Sequence, residues 1–308
     1  MIKRLTMIRE ESGSSIVLIG LAMLAILAIL GLVIDGGSLY MTKSHLQKVA
    51  NAAVLSGAQE LTTNEDEVRK VAEKVLIEHT ELDSLENMQI NMKDKVAVDL
   101  EKQVPLYFSS LFGKESAPVQ VHAAAEIGTM SSATGVAPLG IDRSVNPQLY
   151  QEYTLKVGPH DNDTGVFGIL ALGGGGSQTY EENLRHGYQE GIGVGDILET
   201  QTGNVAGKTR RVINELVNEC TVTEEEMRAG ANPRDCARIL LIPIYEPYEY
   251  YENQMKKIEV VGFAYFYITE PIHGNSTEIT GMFINRPDTG YIDPTVENFG
   301  AYGIRLTE

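Results

Sequence analysis

Residues 12–34, SGSSIVLIGLAMLAILAILGLVI, hold no charged side chain across 23 positions. No other feature constrains the fold so strongly. About 20 apolar residues in a helix rising 1.5 Å per residue cross the hydrocarbon core of a bilayer. A secretory signal has a shorter apolar region, about 7–15 residues, followed by a small-x-small cleavage site. Here the run is longer and leads into Asp35-Gly36-Gly37-Ser38-Leu39-Tyr40, with no such site. A core helix of a soluble protein keeps a polar stripe, whereas Leu, Ile, Val and Ala cover every face of this one. The segment reads as an uncleaved transmembrane helix over 14–34, preceded by a cytoplasmic leader over 1–13. Lys3, Arg4 and Arg9 precede it, and Lys43 and Lys48 follow closely. That excess, with the long body after the only span, predicts a single-pass protein of the cell membrane with its N-terminus cytoplasmic and its body extracytoplasmic.

Charge narrows the partners. The chain carries −17 in 308 residues, and its first 34 residues carry +1, so the remainder carries −18. A body so acidic, without a dense Lys/Arg cluster, repels phosphate backbones and argues against nucleic-acid binding. The expected partners are the bilayer, through residues 14–34, and other envelope proteins. Two cysteines, Cys220 and Cys236, fit neither a redox CxxC nor a zinc knuckle. In an exported region they are candidates for one disulfide; in a reducing compartment they are two thiols.

The stretch after Tyr40, MTKSHLQKVANAAVLSGAQEL, keeps helical spacing with a mostly small face, including Ala53 and Gly57. The helix is expected to continue beyond a soft point at Gly36-Gly37, with Asp35 capping the emerging part at the water boundary. The small face suits either a plain stalk or a shaft packing on neighbours.

These residues also carry a resemblance. The run Gly31-x-x-x-Asp35-x-Gly37-x-x-Tyr40, then Leu46-Gln47-x-x-Ala50-x-Ala52-Ala53-x-x-x-Gly57-Ala58, resembles the N-terminal signature of the TadE/TadG-like proteins of Tad (Flp) pilus assembly. Asn51 stands where that pattern usually has Asp. The stretches 104–128, 165–207, 238–245 and 260–268 look like later parts of TadG-like rather than TadE-like members. The resemblance implies a membrane-anchored, non-enzymatic accessory or pseudopilin-like component of Tad/Flp pilus assembly, without a cofactor. Peptidase-processed pilins of this type carry Glu at the fifth position after the cleaved Gly. Gly13 is the candidate processing site here, but the fifth position is Leu18. An unprocessed accessory subunit fits better than a processed structural minor pilin, which is the first alternative. The second is an envelope-bound enzyme acting on surface polymers.

The remainder reads as α+β. Asn64 and Glu67 have capping-box spacing before a helix reaching about residue 79. Residues 88–92 and 96–100 read as strands, 105–112 as a short helix and 119–127 as a strand. The Ser/Thr/Gly-rich stretch 130–136 reads as a linker. The expected organisation is a stalk and small α+β module over 35–130 and a larger, mostly antiparallel α+β domain over 131–308. Strands are predicted at 153–157, 166–172, 197–200, 239–245, 258–268 and 277–284, and helices at 179–188 and 208–217.

No stretch carries a compelling catalytic pattern. The loop GGGG at 173–176 lacks the G-x-G-x-x-G order and any Gly-Lys-Ser/Thr, so it reads as a turn with positive φ. Asp161 and Asp163 form a fragment of a calcium loop without its distal Glu. The six histidines show no H-x-x-x-H or H-E-x-x-H spacing, and no G-x-S-x-G occurs. Tyr245, Tyr248, Tyr250 and Tyr251, set among acids, suit a strand edge or a protein-contact surface.

Overall fold

An apolar run without proline, followed by Ala-rich sequence, sustains one helix, α1 (Ser12–Ala58), for 47 residues, about 70 Å at the usual rise. The computed structural model describes residues 12–156, 167–201, 205–251, 254–276 and 278–307. Helical structure passes unbroken through Gly36-Gly37, so the soft point does not interrupt α1. In the first half of α1 the large apolar side chains from Ile16 to Ile34 are exposed, Leu24 to 66%. This half is long and apolar enough to cross a membrane.

Asn64 caps α2 (Glu65–Glu78), accepting from Glu67 N at 3.0 Å. Three strands follow, β1 (Leu85–Asn91), β2 (Lys95–Pro105) and β3 (Ser116–Ala133), paired antiparallel. The predicted helix at 105–112 shrinks to a 3-10 turn at Ser109–Phe112, closed by Gly113 at φ 85°. The physical reason is that Pro105 still pairs with Ser116 as the end of the β2–β3 hairpin, which leaves only a hairpin tip to turn. The stretch read as a linker is strand through Ala133, because Ser132 and Ala133 pair with a later segment. Tertiary pairing overrides a weak local propensity there.

The chain continues as β4 (Leu139–Asp142), β5 (Glu152–Lys156), β6 (Phe167–Ile169), α3 (Ser177–His186), β7 (Ile192–Gly193), β8 (Ile197–Glu199), α4 (Ala206–Glu219) and α5 (Glu224–Arg228). It closes with β9 (Ile239–Tyr251), β10 (Gln254–Ile268), β11 (Glu278–Ile284), β12 (Arg286–Asp288), β13 (Tyr291–Ile292) and β14 (Ala301–Leu306). One sheet has the order β1-β2-β3-β14-β12, with β7 and β13 also pairing with β3. The other has the order β5-β11-β10-β9-β4-β6, with β8 on β10. Both are mixed: β12 runs parallel to β14, and β4 to β9. The architecture is α+β.

Three cores hold these layers. Leu46, Val49, Ala50, Ala53 and Val54 of α1 pack with Val68, Ala72 and Leu76 of α2 on one face of the first sheet. The second sheet is covered on one face by α3 and α4, through Tyr180, Leu184, Ile213 and Leu216. Its other face packs against Met130 and Ala133 from the far end of β3. Strand β10 is therefore buried on both faces, which explains its continuous apolar run GFAYFYI.

A buried carboxylate fixes the α1–α2–sheet arrangement. Glu81 takes Lys102 Nζ on both oxygens, at 2.6 and 2.7 Å, and Ser84 Oγ at 2.7 Å. Burial pushes its pKa up, but Lys102 and Ser84 outweigh it and hold the carboxyl below its ordinary value. A depressed folded pKa adds stability above the unfolded value, about 4.3, and loses it as pH falls through the folded value. Lys102→Met should leave burial dominant and destabilise the fold by about 1–2 kcal/mol at neutral pH, given the partial exposure of Lys102; a carboxyl raised by burial takes up its proton more readily in the fold, so the deficit should shrink as pH falls. Urea unfolding of both proteins at neutral and at acid pH, followed by circular dichroism, checks this.

Candidate functional site

The strongest constellation forms where the exposed apolar half of α1 ends. Gly31 and Asp35 are one helical turn apart, so they share a face of α1. The tip of the β2–β3 hairpin, residues 106–115, lies across that face. Asp35 is 3% exposed although it follows directly on the apolar run. Its Oδ1 accepts from the backbone N–H of Tyr107 at 2.8 Å and Phe108 at 3.1 Å. Its Oδ2 accepts from the backbone N–H and hydroxyl of Ser109, both at 2.7 Å. Asp35 thus caps the start of the 3-10 turn in the hairpin tip, not the helix in which it resides. Within an unbroken α1 the local N–H groups are already bonded to carbonyls one turn back, so the side chain is free to serve another segment.

Gly31 makes room for that segment. A Cβ built there would collide with three atoms of the Phe108 ring. The Phe108 ring in turn meets Phe112, with centroids 5.7 Å apart. The tip is closed on itself by Leu106 N–H to Glu115 O at 2.8 Å and Ser110 Oγ to Tyr107 O at 2.7 Å. A glycine and a carboxylate at this spacing therefore form a receptor for an aromatic-capped turn.

The other motif residues divide by face. Leu46, Ala50, Ala53, Gly57 and Ala58 are buried within the chain. A Cβ on Gly57 would stand 3.4 Å from Ala72 Cβ, so the small face serves α2 and not a neighbouring molecule. Gln47 donates to His122 O at 2.8 Å and to Asn51 Oδ1 at 3.0 Å, and Ala52 is half-buried. Gly37 and Tyr40 are exposed; a Cβ on Gly37 would meet nothing within 4 Å. Among the described residues nothing packs against the added Cβ at Gly37, and Tyr40 is 75% exposed. Gly13 lies at the start of α1 and Leu18 on its exposed part.

A second attachment grips the far end of α1. Glu60, just past the helix, is buried and pairs with Arg234 at 2.9 Å. Arg234 also donates to Gln59 O, and Asn232 Nδ2 reaches Gln59 O at 2.9 Å and Glu60 Oε2 at 3.1 Å. Arg286, 5% exposed, supports the same segment by donating to Pro233 O at 2.7 Å. Burial pushes the Arg234 guanidinium below its ordinary pKa, partly offset by Glu60. The segment is tethered by a disulfide, Cys220–Cys236, whose Cα atoms are 5.1 Å apart. Replacing both cysteines by serine should cost about 2–4 kcal/mol by loop-closure entropy. Urea unfolding of the oxidised protein and of the double variant measures it.

The remaining sequence candidates disperse. Tyr245 is buried among residues of the second sheet, which pushes its phenol pKa up, so it leaves the proposed tyrosine surface. A long strand alternates faces, and Tyr245 falls on the inward one. Tyr248 and Tyr250 are exposed, at 55% and 56%; the Tyr251 side chain, like Asp161 and Asp163, lies outside the described residues. Gly173, Gly174 and Gly176 have φ of 71°, 109° and 137°, a turn that leads into α3. Among the described residues no cluster of three or more His, Cys, Asp or Glu is placed to hold a metal ion.

Tyr107, Phe108, Ser109, Asn232 and Arg234 were not singled out by sequence reasoning. The usable signal for the first three was the uncharged, aromatic stretch VPLYFSSLFG at 104–113. For Asn232 and Arg234 there was none, because their partners lie more than 170 residues away.

Residues 13–60 match a family model described as putative Flp pilus-assembly TadE/G-like. The match covers α1 and its exit, including Gly31 and Asp35, but not the hairpin tip they hold. No curated protein and no solved structure matches the chain. The matched segment and the exposed apolar helix together fit a membrane-anchored component of pilus assembly.

Proposed function

We propose that the chain is a single-pass, TadG-like accessory component of a Tad/Flp pilus apparatus. Residues 14–34 anchor it in the bilayer, and an acidic α+β body is presented outside the cell membrane to envelope partners. It acts by binding and positioning, not by catalysis. The observation that carries this reading is the attachment of the body to α1 at Gly31 and Asp35, at the end of the exposed apolar half. A body fixed there follows the orientation of its anchor, as an assembly component requires. Leu18, at the place where a processed pilin has Glu, supports an unprocessed anchor over a polymerising subunit.

The test is N-terminal sequencing of the membrane-extracted protein, combined with protease digestion of intact spheroplasts. The expected result is a chain that retains its leader and a body digested from outside. A mature chain starting at Ser14 would replace the accessory role with that of a processed minor pilin. A body protected in intact spheroplasts would reverse the topology.

A further inference from the structure

We propose that the hairpin tip, residues 106–115, is a second membrane contact, seated in the headgroup layer of the bilayer that surrounds α1. This rests on the reading of residues 14–34 as a membrane span. Gly31 and Asp35 hold the tip beside the last turn of that span, about 6 Å of helix rise apart. That distance is comparable to the 5–10 Å depth at which interfacial segments lie. A bilayer covering α1 to Ile34 therefore reaches the tip without any further movement.

The side chains the tip turns outward suit that layer. Tyr107 is 70% exposed, Leu111 76% and Phe112 77%. Such residues are costly to leave in water as a group, and tyrosine and other aromatic side chains are favoured at bilayer interfaces. Charge points the same way. Residues 104–113 carry none, in a body of net −18, and Lys114 and Glu115 close the tip with no net charge. Elsewhere the acidic surface is repelled by anionic lipid; here it is not. Asp35 also becomes intelligible. An ionised carboxylate at the end of a span is shielded from hydrocarbon because the tip supplies four donors and covers it. Two contacts, a helix and a loop beside it, fix both tilt and rotation of the body, which a helix alone does not.

The chain contains no tryptophan, so single introduced tryptophans report their own surroundings. Phe112→Trp, Leu24→Trp within the span, and Tyr291→Trp on the exposed β13 would each be made in the full chain. Each would be reconstituted in vesicles of equal phosphatidylcholine and phosphatidylglycerol carrying bromine near the head or near the end of the acyl chains. The expected result is blue-shifted Phe112→Trp emission, quenched more by bromine near the head than near the chain end, with Tyr291→Trp unquenched. Quenching of Leu24→Trp while Phe112→Trp emits as Tyr291→Trp does would overturn the interfacial contact and leave the anchor standing. Blue-shifted Phe112→Trp emission insensitive to both lipids would also overturn it, in favour of cover by a second copy of the chain. Unquenched Leu24→Trp would remove the span itself and this inference with it.

Discussion

Asp35→Ala is expected to release the hairpin tip from α1 while leaving the sheets folded. The substitution removes the acceptor of four hydrogen bonds and leaves the N–H groups of Tyr107, Phe108 and Ser109 without a protein partner. Caps of this kind are worth about 0.5–2 kcal/mol, and bonds to a charged acceptor more. A local loss of about 2–3 kcal/mol corresponds to a roughly 30- to 150-fold larger open population. Amide hydrogen exchange in detergent or nanodiscs should show faster exchange at residues 107–109 and unchanged rates in β10. Asp35→Asn is the informative companion. Its amide keeps the shape but offers only one acceptor oxygen, so it should recover part of the protection. Gly31→Leu should open the same tip by displacing Phe108 while Asp35 is intact. If Asp35→Ala left exchange at 107–109 unchanged, the carboxylate would not be what holds the tip.

The second large effect is expected at the other end of α1. Glu60→Gln leaves the guanidinium of Arg234 beside that of Arg286 without the carboxylate between them and the helix end. Breaking one side of such a pair costs about 3–5 kcal/mol when both members are fully buried. The Arg234 side chain is 28% exposed, so about 2–4 kcal/mol is expected here. Arg234→Met alone should also destabilise, because it leaves the buried Glu60 carboxylate without its cation, with only Asn232 still donating to Glu60 and Gln59 O. The pair Glu60→Gln with Arg234→Met should cost less than the sum of the two, since neither member of the pair is left as a buried charge without its partner. Urea unfolding of the four proteins gives the coupling directly. Strict additivity would mean that the pair does not join the helix end to the segment at 232–234.

Much of the frame was legible in the sequence. The long apolar helix, the capped α2 and most strands follow from periodicity and capping, which act over a few residues. Helices α3 and α4 begin two residues before the predicted starts. Where the reading failed, contacts between distant residues decided the outcome. Residues 130–133 lack strong strand propensity, yet they pair with Ile192, Gly193 and Tyr291. Residues 105–112 have no reason of their own to avoid a helix beyond Pro105, but the β2–β3 pairing runs to Pro105 and Ser116, and Asp35 takes the N–H groups of Tyr107, Phe108 and Ser109.

The same division holds for the site. By itself the sequence determined that an uncharged apolar stretch of helix ends in Gly31-x-x-x-Asp35, because charge and helical spacing are properties of neighbouring residues. Only the tertiary structure decided what those two residues are for. Phe108 and Asp35 are separated by 73 positions, and which turn fills a glycine notch depends on how three strands and two helices pack, not on any local preference.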